Sequence, residues 1–229
     1  MHQPIYWPGE DVLQTSNAGH YSFSVQTVHT DRTGPYTTWP RDAVGAARAG
    51  GLGRCGAQVS LTGSLMENLD VLEGAGAGFS GWRNPWQEAA GWRTDGGNPA
   101  LDLIGFGYFH PLMALVEPQD VTLQIRIHRL ALQRRFPALL PSKGLFPPET
   151  AFSERMIPAL VEAGVDWVVV DNVHFDRTLP DYPYTKNSNL VPPNPADQRS
   201  VASPSWVQLT DLWAPEEVSA PWGYQPHYA

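Results

Sequence analysis

Three short strings hold polar side chains able to do chemistry, each beside a proline that fixes the backbone: His2-Gln3-Pro4, Tyr108-Phe109-His110-Pro111 and Phe146-Pro147-Pro148-Glu149. Glu149 stands behind two prolines at the end of an apolar run, just before a helix-like stretch. Prolines cannot continue a strand's hydrogen-bond ladder, so they end the strand and hold the next side chain in one direction. A carboxylate fixed in this way suits attack on a sugar's anomeric carbon, where the oxygen must approach from one face. It equally suits a helix-start acid favoured by the helix dipole, and both readings stand at this point. His110 can hydrogen-bond a substrate hydroxyl or tune a carboxylate, or serve as a structural histidine at a strand end. His2 has the same range, and Gln3 adds an amide that both donates and accepts. Asp171 and His174 follow the apolar run from Val165 to Val170. Two such residues suggest a metal, but no third ligand stands at a suitable spacing, so Asp171 reads as a loop-fixing or sugar-binding acid.

The chain has nine tryptophans and eight tyrosines, and Trp7, Trp39, Trp82, Trp86, Trp92, Trp213 and Trp222 lie in glycine- and proline-rich stretches. A tryptophan in such a place either stacks on a flat ligand face, such as a sugar ring, or pins its loop to the body. Trp7, close to the His2 string, is taken as a substrate-binding residue. Cys55, in Gly53-Arg54-Cys55-Gly56, reads as a small buried residue. Gly105-Phe106-Gly107 lacks the third glycine of a phosphate loop and is set aside.

The elements that must position these groups alternate. Residues 1–40 read as loop, and a short alanine-rich helix runs from Ala43 to Ala49. Gln58 to Thr62 alternates as a strand, and Ser64 with Glu67 forms a capping box for a helix through Leu72. Gly74 to Asn98 is a long glycine- and tryptophan-rich loop. Leu101 to Gly107 is apolar, and a short helix follows near Leu112 to Val116. A longer helix opens at Pro118 and Asp120 and reaches about Phe136, with Val121, Ile125, Ile127 or His128, and Leu132 facing inward. Gly144-Leu145-Phe146 is a brief strand, and Ser153 caps a helix with Met156, Leu160 and Val161 inward, closed by Ala163-Gly164. Val165 to Val170 is the next strand. Strand-helix-strand alternation implies parallel strands with crossover helices, in an α/β barrel or a doubly wound sheet. His110, Glu149 and Asp171 all fall at the C-terminal ends of predicted strands, the functional edge of such folds.

Composition narrows the partners. The chain has 229 residues, 42% apolar and 17% charged, which describes a globular protein. A formal charge of −8 with no basic block argues against nucleic acid, and no stretch of 18 apolar residues argues for a membrane span. One cysteine excludes an internal disulfide and a cysteine zinc cluster. With no basic start and apolar core of a secretion signal, the expected location is cytoplasmic.

Taken together, the strings resemble glycoside hydrolase family 57, retaining enzymes active on α-glucans. His2-Gln3-Pro4 is similar to the family's opening HQP motif, and Gly63-Ser64-Leu65 to its second-strand segment. Tyr108-Phe109-His110-Pro111-Leu112 is similar to the GYxHP element, with Gln124-Ile125 in the helix after it. Gly144 to Glu149, with Ala151 and Ser153, resembles the nucleophile motif, and Gly164-Val165-Asp166-Trp167, leading to Asp171 and His174, the strand that follows. The matches run in order from residue 2 to about 175.

The resemblance implies an α/β fold, an incomplete (β/α)7-type barrel, here expected to be truncated at both ends. Residues 1–229 would be one partial catalytic-barrel domain, with the motifs in about 1–175 and a less regular proline-rich segment at 176–229. It implies Glu149 as nucleophile, with His2, Gln3, Trp7, His110, Asp171 and His174 on the substrate, an oligo- or polysaccharide. No cofactor and no metal are implied. Two departures bear on completeness: only Met1 precedes the first motif, and none of Asp171, Asp176, Asp181, Asp197, Asp211, Glu216 and Glu217 stands in the family's setting for the general acid. The alternatives are a non-catalytic carbohydrate-binding barrel and a metal-dependent polysaccharide deacetylase, which needs an HxxxH pair that this sequence lacks.

Overall fold

The computed structural model describes residues 12–13 and 25–170. His2, Gln3, Trp7, Asp171, His174 and the segment 176–229 lie outside the described residues. Four short strands, β1 (Ala57–Val59), β2 (Leu101–Leu103), β3 (Gly144–Leu145) and β4 (Trp167–Val168), form the frame. All their pairings are parallel, β1 with β2 in register Ala57↔Leu101 and β3 with β4 in register Gly144↔Trp167. A parallel bridge, Gly105↔Leu145, joins the two pairs. It is held by Gly105 N–H on the Gly144 carbonyl at 2.8 Å and Phe146 N–H on the Gly105 carbonyl at 2.9 Å. Each strand therefore lies beside the next in sequence, all pointing one way, and such neighbours require crossover connections.

Helices supply the crossovers. They are α1 (Val25–Thr30), α2 (Thr33–Tyr36), α3 (Trp39–Ala49), α4 (Gly63–Gly74), α5 (Asn84–Ala89), α6 (Pro118–Arg135) and α7 (Ile157–Glu162). The described residues thus form a (β/α) architecture, as the alternation predicts. No helix among them is long and apolar enough to cross a membrane.

The amphipathic spacing of α6 holds: Val121, Ile125 and His128 are buried, Pro118 sits at the helix start, where its missing N–H costs nothing, and Arg134 and Arg135 complement the dipole at the end. In α4 the cap falls elsewhere than expected. Thr62, not Ser64, is the N-cap, its hydroxyl accepting the Leu65 N–H at 3.2 Å. Glu67 closes no capping box; its carboxylate takes the Tyr108 hydroxyl instead. Leu65, Met66, Leu69 and Leu72 of α4 pack with Leu101 and Leu103 into one core cluster, and Met113, Val121, Ile125, Leu145, Met156 and Leu160 make a second.

Several local expectations give way to tertiary packing. Residues 25–40, read as loop from their turn signals, hold α1, α2 and the start of α3, and Thr33-Gly34-Pro35-Tyr36 is itself a helical turn. Gly74 to Asn98 is not an open loop. It carries α5 and drives Trp82 and Trp86 fully into the core, with the Trp86 indole N–H on the Tyr36 carbonyl at 3.0 Å. Trp82 meets Phe136 edge-on at 5.5 Å, so these two tryptophans pin their segment to the body. Asp70 ties the same region down, accepting from the Trp82 indole at 3.1 Å, from Arg83, and from Arg135 Nε at 2.7 Å. Val161 is 68% exposed, because one residue past buried Leu160 the helix has turned it about 100° away. Cys55 is exposed, lying in a glycine-flanked turn at the surface rather than in the core.

Candidate functional site

The C-terminal ends of β2 and β3 are neighbours, and they bring two of the singled-out residues together. His110 Nε2 lies 3.3 Å from Glu149 Oε1, with the histidine side chain 9% exposed and the glutamate 61% exposed. The imidazole is therefore anchored in the protein while the carboxylate faces outward, able to meet a ligand.

Glu149 reaches this place through backbone geometry that its prolines impose. Phe146 ends the β3 ladder, Pro147 is extended at φ −64°, ψ 133°, and Pro148 opens a short 3-10 turn, Pro148–Thr150. Glu149 then adopts φ +60° and Thr150 φ +52°, the left-handed region that side chains other than glycine rarely enter. His110 is left-handed too, at φ +58°. Strained residues of this kind persist only where their surroundings over-determine them, and they cluster at functional sites.

The surroundings are visible. His110 donates its backbone N–H to the Gly107 carbonyl at 3.2 Å, closing a tight turn. Its ring meets Phe106 edge-on at 5.2 Å, and Phe106 stacks on Phe146 at 5.8 Å, so paired aromatics floor the site. Gly107 is the contact point of the two loops: a Cβ there would lie 2.6 Å from Pro111 Cδ and 3.2 Å from Pro148 Cγ. Only glycine lets the His110 loop close onto the proline pair that carries Glu149.

On the other side the loop is fastened to two helices. The Tyr108 carbonyl accepts Ser64 N–H of α4 at 3.3 Å, and its hydroxyl donates to Glu67. Burial first, and then the bond to Glu67, push the Tyr108 phenol well above its ordinary range, so it acts as a fixed donor. Phe109 N–H donates to Gln124 Oε1 of α6 at 3.0 Å. Most of these residues lie in strings named from the sequence, but the contacts that make them anchors were not legible there. Their partners are 41 residues apart for Tyr108–Glu67 and 15 for Phe109–Gln124, beyond any local pattern.

Among the described residues no group of three or more His, Cys, Asp or Glu is arranged to hold a metal ion. A histidine and a glutamate paired at the C-terminal ends of adjacent parallel strands mark the functional edge of a (β/α) protein. Residues 92–197 match the profile of Glycosyl hydrolase family 57. A relative described as alpha-amylase, from Niallia circulans, is 31% identical over 218 residues, 89% of this chain. The chain spans only 16% of that relative's length. A 4-alpha-glucanotransferase from Thermococcus litoralis is similar in structure with a TM-score of 0.48 and 16% identity, over 76% of this chain and 22% of that one. A CE4 family pseudoenzyme from Bacillus anthracis gives a TM-score of 0.38 and 12% identity, over 79% of this chain and 46% of that one.

Proposed function

We propose that the chain contributes the nucleophile of a retaining glycoside hydrolase or glucanotransferase that acts on α-linked glucans. The observation that carries this reading is the pairing of His110 with Glu149 at adjacent strand ends, within the family-matching segment. Glu149 attacks the anomeric carbon through a carboxylate oxygen while the bond to the leaving glycosidic oxygen breaks, that oxygen taking a proton from a general acid. Water or a sugar hydroxyl then attacks the glycosyl-enzyme, giving up its proton to the same acid group, now a base, and Glu149 leaves as a carboxylate. Retention places that second carboxyl group roughly 5–5.5 Å from the first. His110 holds the attacking carboxylate in line through the 3.3 Å contact and borders the sugar at the cleavage point. On this reading the fold is an incomplete (β/α)7-type barrel, and His2, Gln3, Trp7, Asp171 and His174 are assigned to sugar binding by the family resemblance alone.

An activated α-glucosyl fluoride carrying a second fluorine on the ring tests the nucleophile directly, because fluoride departs without an acid and the second fluorine slows release. Peptide mass mapping should find the label on Glu149, and Glu149→Gln should abolish both labelling and maltooligosaccharide turnover. Label on another residue, or turnover unchanged in Glu149→Gln, refutes the assignment. Maltooligosaccharide binding without label favours a non-catalytic sugar-binding role.

A further inference from the structure

We propose that Gln124 is a positioning residue that holds His110 against Glu149 by gripping the backbone one residue earlier; this rests on Glu149 as the nucleophile. Gln124 stands in the second turn of α6, and its side-chain oxygen accepts Phe109 N–H at 3.0 Å. The helix itself has no need of a glutamine there. Met, Leu, Lys and Gln have nearly equal helix propensity, and the neighbours Leu123 and Arg126 are exposed.

The β2 loop does need the bond. Phe109 is 50% exposed, so burial of its ring does not fix its backbone. Tyr108 is already tied to α4 through its carbonyl and its hydroxyl. With Phe109 tied to α6 as well, the chain enters residue 110 from a fixed direction, and His110 must take φ +58° to continue into Pro111. That conformation opposes the intrinsic preference of a side-chain-bearing residue. If the Phe109 N–H loses its acceptor, the turn relaxes toward negative φ. The Cα–Cβ bond of His110 then swings, carrying the imidazole out of its 3.3 Å contact with Glu149. Gln124 touches neither the carboxylate nor the space above it in this scheme; it acts through His110.

The test is the labelling rate of Glu149 by the activated fluoride in the parent, Gln124→Met, Gln124→Glu, His110→Ala and the Gln124→Met/His110→Ala double variant. Gln124→Met is expected to slow labelling about tenfold, the effect of one lost hydrogen bond expressed at the site. Gln124→Glu keeps an oxygen acceptor for the same N–H and is expected to restore the parent rate. In the double variant the loss of Gln124 should add nothing to His110→Ala, because the two residues act in series. A Gln124→Met rate equal to the parent, equal slowing in Gln124→Glu, or multiplied losses in the double variant overturns the proposal. A parent that takes no label at Glu149 refutes the nucleophile instead, and the His110 imidazole resonances then decide the positioning role. A displacement in Gln124→Met in the same direction as in Glu149→Gln sustains it, and unmoved resonances overturn it.

Discussion

Lowering the pH from about 7 to about 5 is expected to destabilise the fold by about 2 kcal/mol through the imidazole of His128. His128 is 1% exposed, and its Nε2 meets the Leu61 carbonyl at 2.6 Å. A carbonyl only accepts, so Nε2 carries the proton and Nδ1 the lone pair, and Nδ1 has no partner among the described residues. A second proton would place a full charge in the core. Burial, the leading cause, lowers the pKa to about 4; the Leu61 bond opposes that shift, and nearby Arg129 adds to it. The unfolded chain protonates this group near 6.5, so below that pH the unfolded state binds more protons and stability falls as the pH falls. The loss accumulates between 6.5 and about 4, reaching about 3 kcal/mol at the lower end. Urea unfolding followed by the fluorescence of the buried Trp82 and Trp86 reads it. Other groups titrate over the same range, so His128→Gln, whose amide nitrogen can take the place of Nε2, is the reference. Wild type should lose about 2 kcal/mol more than the variant between the two pH values. Parallel losses in both proteins would show that His128 is protonated without penalty and refute the reasoning.

Two substitutions test the frame and the site separately. Trp86→Ala removes a fully buried indole and its bond to the Tyr36 carbonyl, and urea unfolding should show a loss of about 3–5 kcal/mol. Gly107→Ala forces a methyl group against Pro111 and Pro148; it should cost stability about 1–3 kcal/mol and lower the Glu149 labelling rate, whereas an unchanged rate would mean that the two loops need not touch.

What the sequence revealed about the site came from its punctuation. Paired prolines before Glu149 and one after His110 are strong local constraints, and the structure places these two residues side by side. The parallel strands and α6 were legible for a similar reason, since hydrophobic spacing of 3.6 and short apolar runs survive into the fold. Thr62 took the cap from Ser64 because β1 ends three residues earlier than its alternation suggests, which moves the helix start upstream. Trp82 and Trp86 were hidden because glycine and proline beside them describe how their backbone turns, not where their rings go. Gln124 shows the same limit: the family resemblance includes it, but a polar residue on a half-exposed helix face has no periodic signature to reveal its role, and its partner is a backbone N–H.

Asp70 has a consequence for how the protein comes apart. One carboxylate joins α4, the segment bearing Trp82 and Arg83, and the last turn of α6, so three stretches separated by up to 65 residues share a single joint. The segment from 74 to 98 looks in sequence like a natural place for a protease to nick, yet it cannot peel away without breaking the Asp70 contacts and drawing Trp82 and Trp86 out of the core. Its amides should therefore exchange with solvent on the timescale of the β1–β2 unit as a whole, and cleavage there would report global opening rather than local fraying.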